Sequence, residues 1–303
     1  MMKIGCTYLY PIFRYGYPPS FEDDLKALED YKAMGFTYLE LEGMGTDHLK
    51  RVHKNRKVYK QRCDGLGLKV HNFCPVLRDL VSMGRDKRES AYEAFRYGVE
   101  VAAEYGVHTV HMASYTPDVT FSGPRPYAGS KYAFDEDYRV RFDPAFDWEA
   151  QWDVLVESVG RCCDMVKEIG KKVIMEPRVG EIICSSDSLL RLIKDVGRDN
   201  FYANFDCAHF QAQKEILPIT LMKLRGKFAN IHIADNDGTS SAHLPLGRGN
   251  IDWEAFFEGL VLMKYDAYLG VDIGDTPNVV EDLKASARFI LNMADRMGFA
   301  CQM

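Results

Sequence analysis

The segment KIGCTYLYPIFRYGYPPS, residues 3–20, decides between two folds. It opens on a short apolar, β-prone run. An open doubly wound sheet that binds a dinucleotide would follow such a run with a glycine-rich turn leading into a helix. Here LYPIFRYGYPPS follows instead, and no later run of this kind carries the glycine fingerprint either. The runs recur as FTYLELEG (36–43), LKVHNFCP (68–75), HTVHMAS (108–114), KVIMEPR (172–178), FYANFD (201–206), FANIHIAD (228–235) and AYLGVDIG (267–274). With the first they make eight. Eight strands alternating with helical segments predict an α/β chain whose parallel sheet closes on itself as a (β/α)8 TIM barrel.

The segments between the runs have helical spacing. In FEDDLKALEDYKAMG, Leu25, Leu28 and Tyr31 share a stripe, and AYEAFRYGVEVAAEYG ends in a C-cap glycine. Ser20, Ser186 and Asp252 stand where an N-cap would accept an orphan N–H. No linker or low-complexity tract divides the chain, so residues 1–303 are expected to form a single domain. The main irregularity is the stretch 114–148 after the fourth strand, a loop long enough to cover or build a site. Its aromatics Tyr115, Phe121, Tyr127, Tyr132, Phe134 and Tyr138, with Tyr8, Tyr10, Phe13, Tyr15 and Tyr17 after strand one, are expected either to overhang the mouth or to form an oligomer interface. Trp152 and Trp253 read as core.

Composition excludes some partners. A formal net charge of −6 without a basic run argues against nucleic acid, and no apolar segment approaches the ~20 residues of a membrane helix. The eight cysteines show no CxxC spacing and Cys162 and Cys163 are adjacent, which reads as reduced thiols in a cytoplasmic protein. The opening MMKIGCTYLY has no apolar run of signal-peptide length.

Barrel chemistry sits at the C-terminal ends of the strands. Strand five ends in Glu176, strand six in Asp206 with His209 beyond, strand seven carries His232, and strand eight ends in Asp272. Strands two, three and four add Glu40 and Glu42, His71 and His111. Buried like charges are costly unless paired or bound to a cation, so three carboxylates and an imidazole on four consecutive strands point to a divalent metal held by Glu176, Asp206, His232 and Asp272. Oxygen-rich ligation favours Mn, with Co, Mg or Zn as alternatives. His71, Arg178 and Arg248 are expected to contact substrate, and Glu40 to make an inner-barrel ion pair.

The phrases MEPR at Glu176, NFDCAH (204–209), IHIADNDG at His232 and HLPLGRGNIDW (243–253) resemble the xylose isomerase-like barrel superfamily across essentially the whole chain. That group includes sugar phosphate isomerases and epimerases, ketose 3-epimerases, inosose dehydratases and nucleases of the endonuclease IV type. The resemblance implies the same four metal ligands, with Asp272 standing where Glu is usual. It implies a substrate contact at His209 and, one residue short in spacing, a substrate-binding glutamate at Glu181. It also implies abstraction of a proton alpha to the carbonyl of a keto-sugar, by isomerase or epimerase chemistry, or alternatively by a lyase eliminating a β-substituent. Glu176, His111 and Asp272 are the expected catalytic residues. Asp272, one methylene shorter than Glu, is poorly placed as a second base, which favours a one-base reaction with His111 or Glu176 as base.

The nuclease branch is disfavoured by the acidic charge and by SAH (241–243), where an Asp and a His ligand would be needed. A non-catalytic barrel subunit is disfavoured by the intact ligand set. The expected partners are a small carbohydrate and further copies of the chain, or other subunits of a hetero-oligomer.

Overall fold

Eight parallel strands close on themselves in the computed structural model, which describes residues 1–128 and 132–303. They are β1 (Met2–Cys6), β2 (Tyr38–Met44), β3 (Lys69–Val76), β4 (Thr109–Ala113), β5 (Lys172–Glu176), β6 (Phe201–Asp206), β7 (Phe228–Ile233) and β8 (Tyr268–Val271). Neighbours pair in sequence order and β8 returns to β1, with Lys3 opposite Tyr268 and Cys6 opposite Val271. β4, for example, is buried along its length, because helices cover the outside of the barrel while side chains fill the inside. Residues 129–131 of the long loop after β4 lie outside the described residues.

The helices are α1 (Leu9–Tyr15), α2 (Phe21–Met34), α3 (Gly45–Leu66), α4 (Arg85–Tyr105), α5 (Trp148–Lys167), α6 (Ser186–Val196), α7 (Cys207–Ala212), α8 (Leu217–Lys223), α9 (Trp253–Leu262) and α10 (Val279–Met297). Ser20 and Asp252 cap α2 and α9 as expected, accepting from Asp23 N and Ala255 N at 3.1 and 3.0 Å. The α6 cap is Ser185 rather than Ser186. Ser185 has extended backbone, accepts from Ser188 N at 3.2 Å and donates its own N–H to Ser188 Oγ at 3.1 Å, so Ser186 becomes the first helical residue. Gly106 ends α4 in the left-handed conformation. Trp152 and Trp253 are buried, and their indole N–H groups donate to Asp195 and Asp235 at 2.9 and 3.0 Å. All eight cysteines are free. Among the described residues no helix is long and apolar enough to cross a membrane.

The segment after β1 is a helix, α1, and this redistributes its aromatics. The Tyr8 hydroxyl donates to Asp24, and those of Tyr10 and Tyr15 to Asp30 at 2.7 and 2.5 Å, so these three rings anchor α1 on α2 rather than face the mouth. Phe13 and Tyr17 remain at the mouth. Gly274 allows this docking, since a Cβ there would come within 2.3 Å of Phe13 and 2.9 Å of Leu9. In the long loop Tyr127, Tyr132 and Phe134 reach the mouth, whereas the Tyr115 hydroxyl is buried and accepts from Leu77 N at 2.7 Å.

Candidate active site

The barrel interior below the mouth is a chain of buried amides and carboxylates. Glu40 Oε2 accepts from Asn72 Nδ2 at 2.7 Å and meets His232 Nε2 at 3.0 Å, while Oε1 accepts from Asn230 Nδ2 at 3.1 Å. Asn230 also donates to Asn204 Oδ1 at 3.0 Å, and Asn204 donates to Glu176 Oε1 at 2.8 Å. Every oxygen of Glu40 is therefore occupied, so it supports His232 from beneath, in line with the inner-barrel ion pair expected of it. Burial alone would raise the Glu40 carboxyl, but His232 and His71 hold it well below the usual carboxylate range. The network orients the imidazole and carboxylate above it much as outer-shell partners orient metal ligands.

Above this floor, His232 Nδ1 lies 2.7 Å from Glu176 Oε1, 3.7 Å from Asp206 Oδ2 and 3.7 Å from Asp272 Oδ2. The four residues expected to converge do so. Asp206 Oδ2 and His232 Nδ1 are buried and make no well-directed hydrogen bond despite the short Glu176 approach. Such orphaned atoms, one ligand atom each from Glu176, Asp206 and His232 lying within 4.8 Å of one another, fit a divalent cation. The charges also act on one another. Burial, with Glu176 and Asp272 adding to it and His243 and His232 opposing, pushes Asp206 up to about 7. Burial disfavours the His232 cation, yet Glu40, Asp272 and Glu176 outweigh it and raise that imidazole well above its ordinary value.

Local folding sets each donor. Asp206 ends β6 and caps α7, Oδ1 accepting from His209 N at 2.7 Å, which leaves Oδ2 for the centre. Asp272 is tied at both oxygens: Thr7 Oγ1 donates to Oδ1 at 2.5 Å, and His243 Nδ1 sits 3.0 Å from Oδ2. His243 was not among the residues expected at the site. The phrase DNDG followed by HLPLGRGNIDW folds around Asp235, whose carboxylate accepts from Asn236 N, Gly247 N and Trp253 Nε1 at 2.9, 2.8 and 3.0 Å. Asp235 also bridges to Leu244, and this hangs the preceding His243 over the centre. Burial opposes its protonation, but Asp272 and Asp206 push its pKa up to about 9. No local spacing in HLPLGRGNIDW marks His243 as a site residue; the pairing of Asp235 with Leu244 places it there.

Other expected residues divide. His111 and His209 line the mouth, each with a buried ring nitrogen lacking a partner, and burial lowers their pKa values to about 4 and about 3. Arg178 lines it too, lying 4.2 Å over the Tyr127 ring and pairing with Glu181. Glu181 itself is turned away from the cavity. Its Oε2 accepts from Ser114 Oγ at 3.1 Å and Tyr115 N at 2.9 Å, so it holds Arg178 and the loop start rather than substrate. Arg248 is exposed and pairs with Asp282 at 2.8 Å outside the mouth. His71 is low in the barrel, stacked on Tyr268 at 4.2 Å, with Nε2 3.5 Å from Glu40. Its position near the start of β3 keeps it from the mouth, away from the substrate contact expected of it.

The mouth cavity holds about 410 Å³. Its cover is the long loop, tied down where Ser241 Oγ donates to Tyr132 O at 2.7 Å and Tyr127 OH donates to Val179 O at 2.9 Å. Gly180, at φ +75°, lies against the Tyr132 ring, and a Cβ there would come within 2.3 Å of it. Tyr132→Ala is expected to raise KM about tenfold, the loss of one aromatic contact of roughly 1.4 kcal/mol, with kcat little changed and the oligomer mass unaltered by light scattering. A changed mass with an unchanged KM would assign the loop to an interface.

Against known proteins, the family model for xylose isomerase-like TIM barrels matches residues 28–293. Fructoselysine 3-epimerase from Escherichia coli O157:H7 is 24% identical over 125 residues, 40% of this chain and 46% of that protein. Inosose dehydratase from Clostridium perfringens is 23% identical over 153 residues, 45% of this chain and 52% of that protein. The chain thus spans about half the length of the curated relatives it matches. Among solved structures, 3-keto-D-glucoside 4-epimerase from E. coli superposes with a TM-score of 0.72 at 18% identity, covering 96% of this chain and 100% of that one. The closed eight-stranded barrel and the family match over residues 28–293 carry one conclusion: the chain belongs to the xylose isomerase-like TIM barrel family.

Proposed function

We propose that the protein is a divalent-metal-dependent enzyme of the sugar isomerase and epimerase type, which abstracts a proton alpha to the carbonyl of a keto-sugar or sugar derivative. The observation that carries this reading is the convergence of Glu176, Asp206, His232 and Asp272 on one point, with orphaned buried atoms at Asp206 and His232. When bound, the ion, Mn in preference to Co, Mg or Zn, supplies positive charge that stabilises the oxygen of an enolised carbonyl. His111 and Glu176 stand beside the cavity as candidate bases, His111 neutral at physiological pH because burial lowers its pKa to about 4. Arg178 and His209 offer polar contacts to substrate hydroxyls, and the aromatic loop excludes water. The epimerase and dehydratase names among the relatives support a sugar-like substrate.

A second reading is a lyase, favoured by the tethering of Asp272. A two-base epimerase needs strand-five and strand-eight carboxylates that both reach the substrate, and here the strand-eight group is short and engaged by Thr7 and His243. Asp272→Glu is accordingly expected to keep the metal without raising turnover. A clear gain in C3 epimerisation of a ketose would restore the two-base reading. The direct test is proton NMR of keto-sugars incubated with Mn-loaded protein in heavy water. Deuterium in recovered sugar indicates isomerase or epimerase chemistry and an unsaturated product indicates a lyase, whereas neither with any keto-sugar would refute proton abstraction.

A further inference from the structure

Polarity divides the mouth cavity in two. The ends of β5 to β8 contribute Glu176, His209, His232 and Asp272, whereas α1 and the residues after it contribute Leu9, Ile12, Phe13 and Tyr17, and the end of β3 adds Val76. β2 lies between β1 and β3, so Glu42, its residue in the cavity, stands on the apolar side, where Arg78 and Asp275 also reach the lining. Among the described residues no hydrogen bond or ion pair engages that carboxyl, in contrast to Glu40 on the same strand. Glu42 is half-buried, and its carboxyl faces the space where substrate would lie. Desolvation in the cavity wall, reinforced by the charge of Asp272 and opposed by Arg178, pushes its pKa up to about 8.

We propose that the cavity takes a keto-sugar bearing an apolar substituent, the sugar over the β5–β8 cluster and the substituent against the wall of Leu9, Ile12, Phe13 and Tyr17, and that Glu42 donates a proton to the oxygen joining them. This deepens the lyase form of the proton-abstraction reading and rests on it. A glycosidic oxygen lies β to a ring carbonyl when that carbonyl is at C3. The base removes the C2 proton, the C2–H pair becomes the C1–C2 double bond, and the C1–O bond breaks with its electrons on oxygen. The Glu42 proton goes to that oxygen. The products are a neutral alcohol or phenol and an unsaturated keto-sugar, and solvent returns one proton to Glu42 and takes one from the base, so nothing is oxidised or reduced. The apolar wall receives the departing group, and a cavity of about 410 Å³ is of the size that takes a sugar with such a group attached.

The test uses methyl and 4-nitrophenyl 3-oxo-β-D-glucosides with the Mn-loaded protein and its Glu42→Gln variant in heavy water. Release from the methyl probe is expected to fall about 10²–10⁴-fold in the variant, the usual contribution of a general acid. Release from the 4-nitrophenyl probe should fall far less, because that phenolate departs without a proton. Deuterium should continue to enter C2 of recovered methyl probe, since the base and the metal ligands are untouched. Equal losses for both probes, or no loss for either, would overturn the role of Glu42. Absence of exchange and elimination in the unaltered protein would instead remove the proton-abstraction reading, and this inference with it. Folding of the variant is checked by its Tm. A raised carboxyl pKa contributes stability that is full below its unfolded value near 4.5 and lost as pH rises through about 8, so Gln is expected to hold or raise Tm above that pH.

Discussion

Asp206→Asn is expected to strip the protein of its metal and lower kcat/KM by roughly 10³-fold or more, the equivalent of the several kcal/mol of charge stabilisation a bound ion contributes. The substitution is chosen because Asp206 has two separable duties. Oδ1 caps α7 through His209 N, and an amide oxygen can keep that bond. Oδ2 is the buried atom without a partner that faces His232 at 3.7 Å, and an amide nitrogen there is a poor ligand. Asp206→Ala should lose the metal equally but also about 1 kcal/mol of capping stability. Metal content by plasma emission spectrometry and Tm by calorimetry separate the two effects. Full turnover in metal-free protein would refute the site.

The second large effect is at His111. His111→Ala is expected to reduce kcat about 10²–10⁴-fold with the metal retained, the range for loss of a positioned base. His111 lines the cavity, packs edge-on to His232 at 5.4 Å between ring centres, and leaves Nε2 buried and free. Burial lowers its pKa from 6.5 to about 4, against a smaller opposing pull from Glu176. A depressed folded-state value means the unfolded chain takes up the proton first. The stability it contributes is present above pH 6.5 and lost as pH falls toward 4, so the variant should show a shallower fall of Tm over that window. Retained turnover with the altered Tm profile would reduce His111 to a buried core imidazole.

The eight strands were legible because a parallel barrel buries both faces of each, and burial on both faces writes an apolar run into the sequence at every strand. FYANFD (201–206) matches β6 end to end. The four convergent residues were legible for a related reason: each ends or nearly ends a strand, and closure of the sheet brings strand ends together. What was lost depended on loops. Nothing in LYPIFRYGYPPS says that Tyr8, Tyr10 and Tyr15 will turn to Asp24 and Asp30 on α2. Arg248 and Glu181 follow strands as closely as true cavity residues do, yet each finds a nearer partner, Asp282 or Arg178, that turns it aside. His71 was misread because a strand position was taken without its height in the barrel. His243 was missed because a pairing between Asp235 and Leu244, not local spacing, delivers it.

The long loop after β4 is also a seam. C-terminal to it lie all four residues that converge on the centre, and N-terminal to it lie α1, Glu42 and the apolar wall. Side-chain ties between the proposed cluster and the earlier part of the chain run through Glu40, beneath His232, and Thr7, on Asp272. Recombination between homologous barrels at this seam would therefore exchange α1, Glu42 and the apolar wall as one block while transmitting the four convergent residues together, provided the incoming N-terminal half brings a carboxylate at Glu40, a hydroxyl at Thr7 and an imidazole at His111.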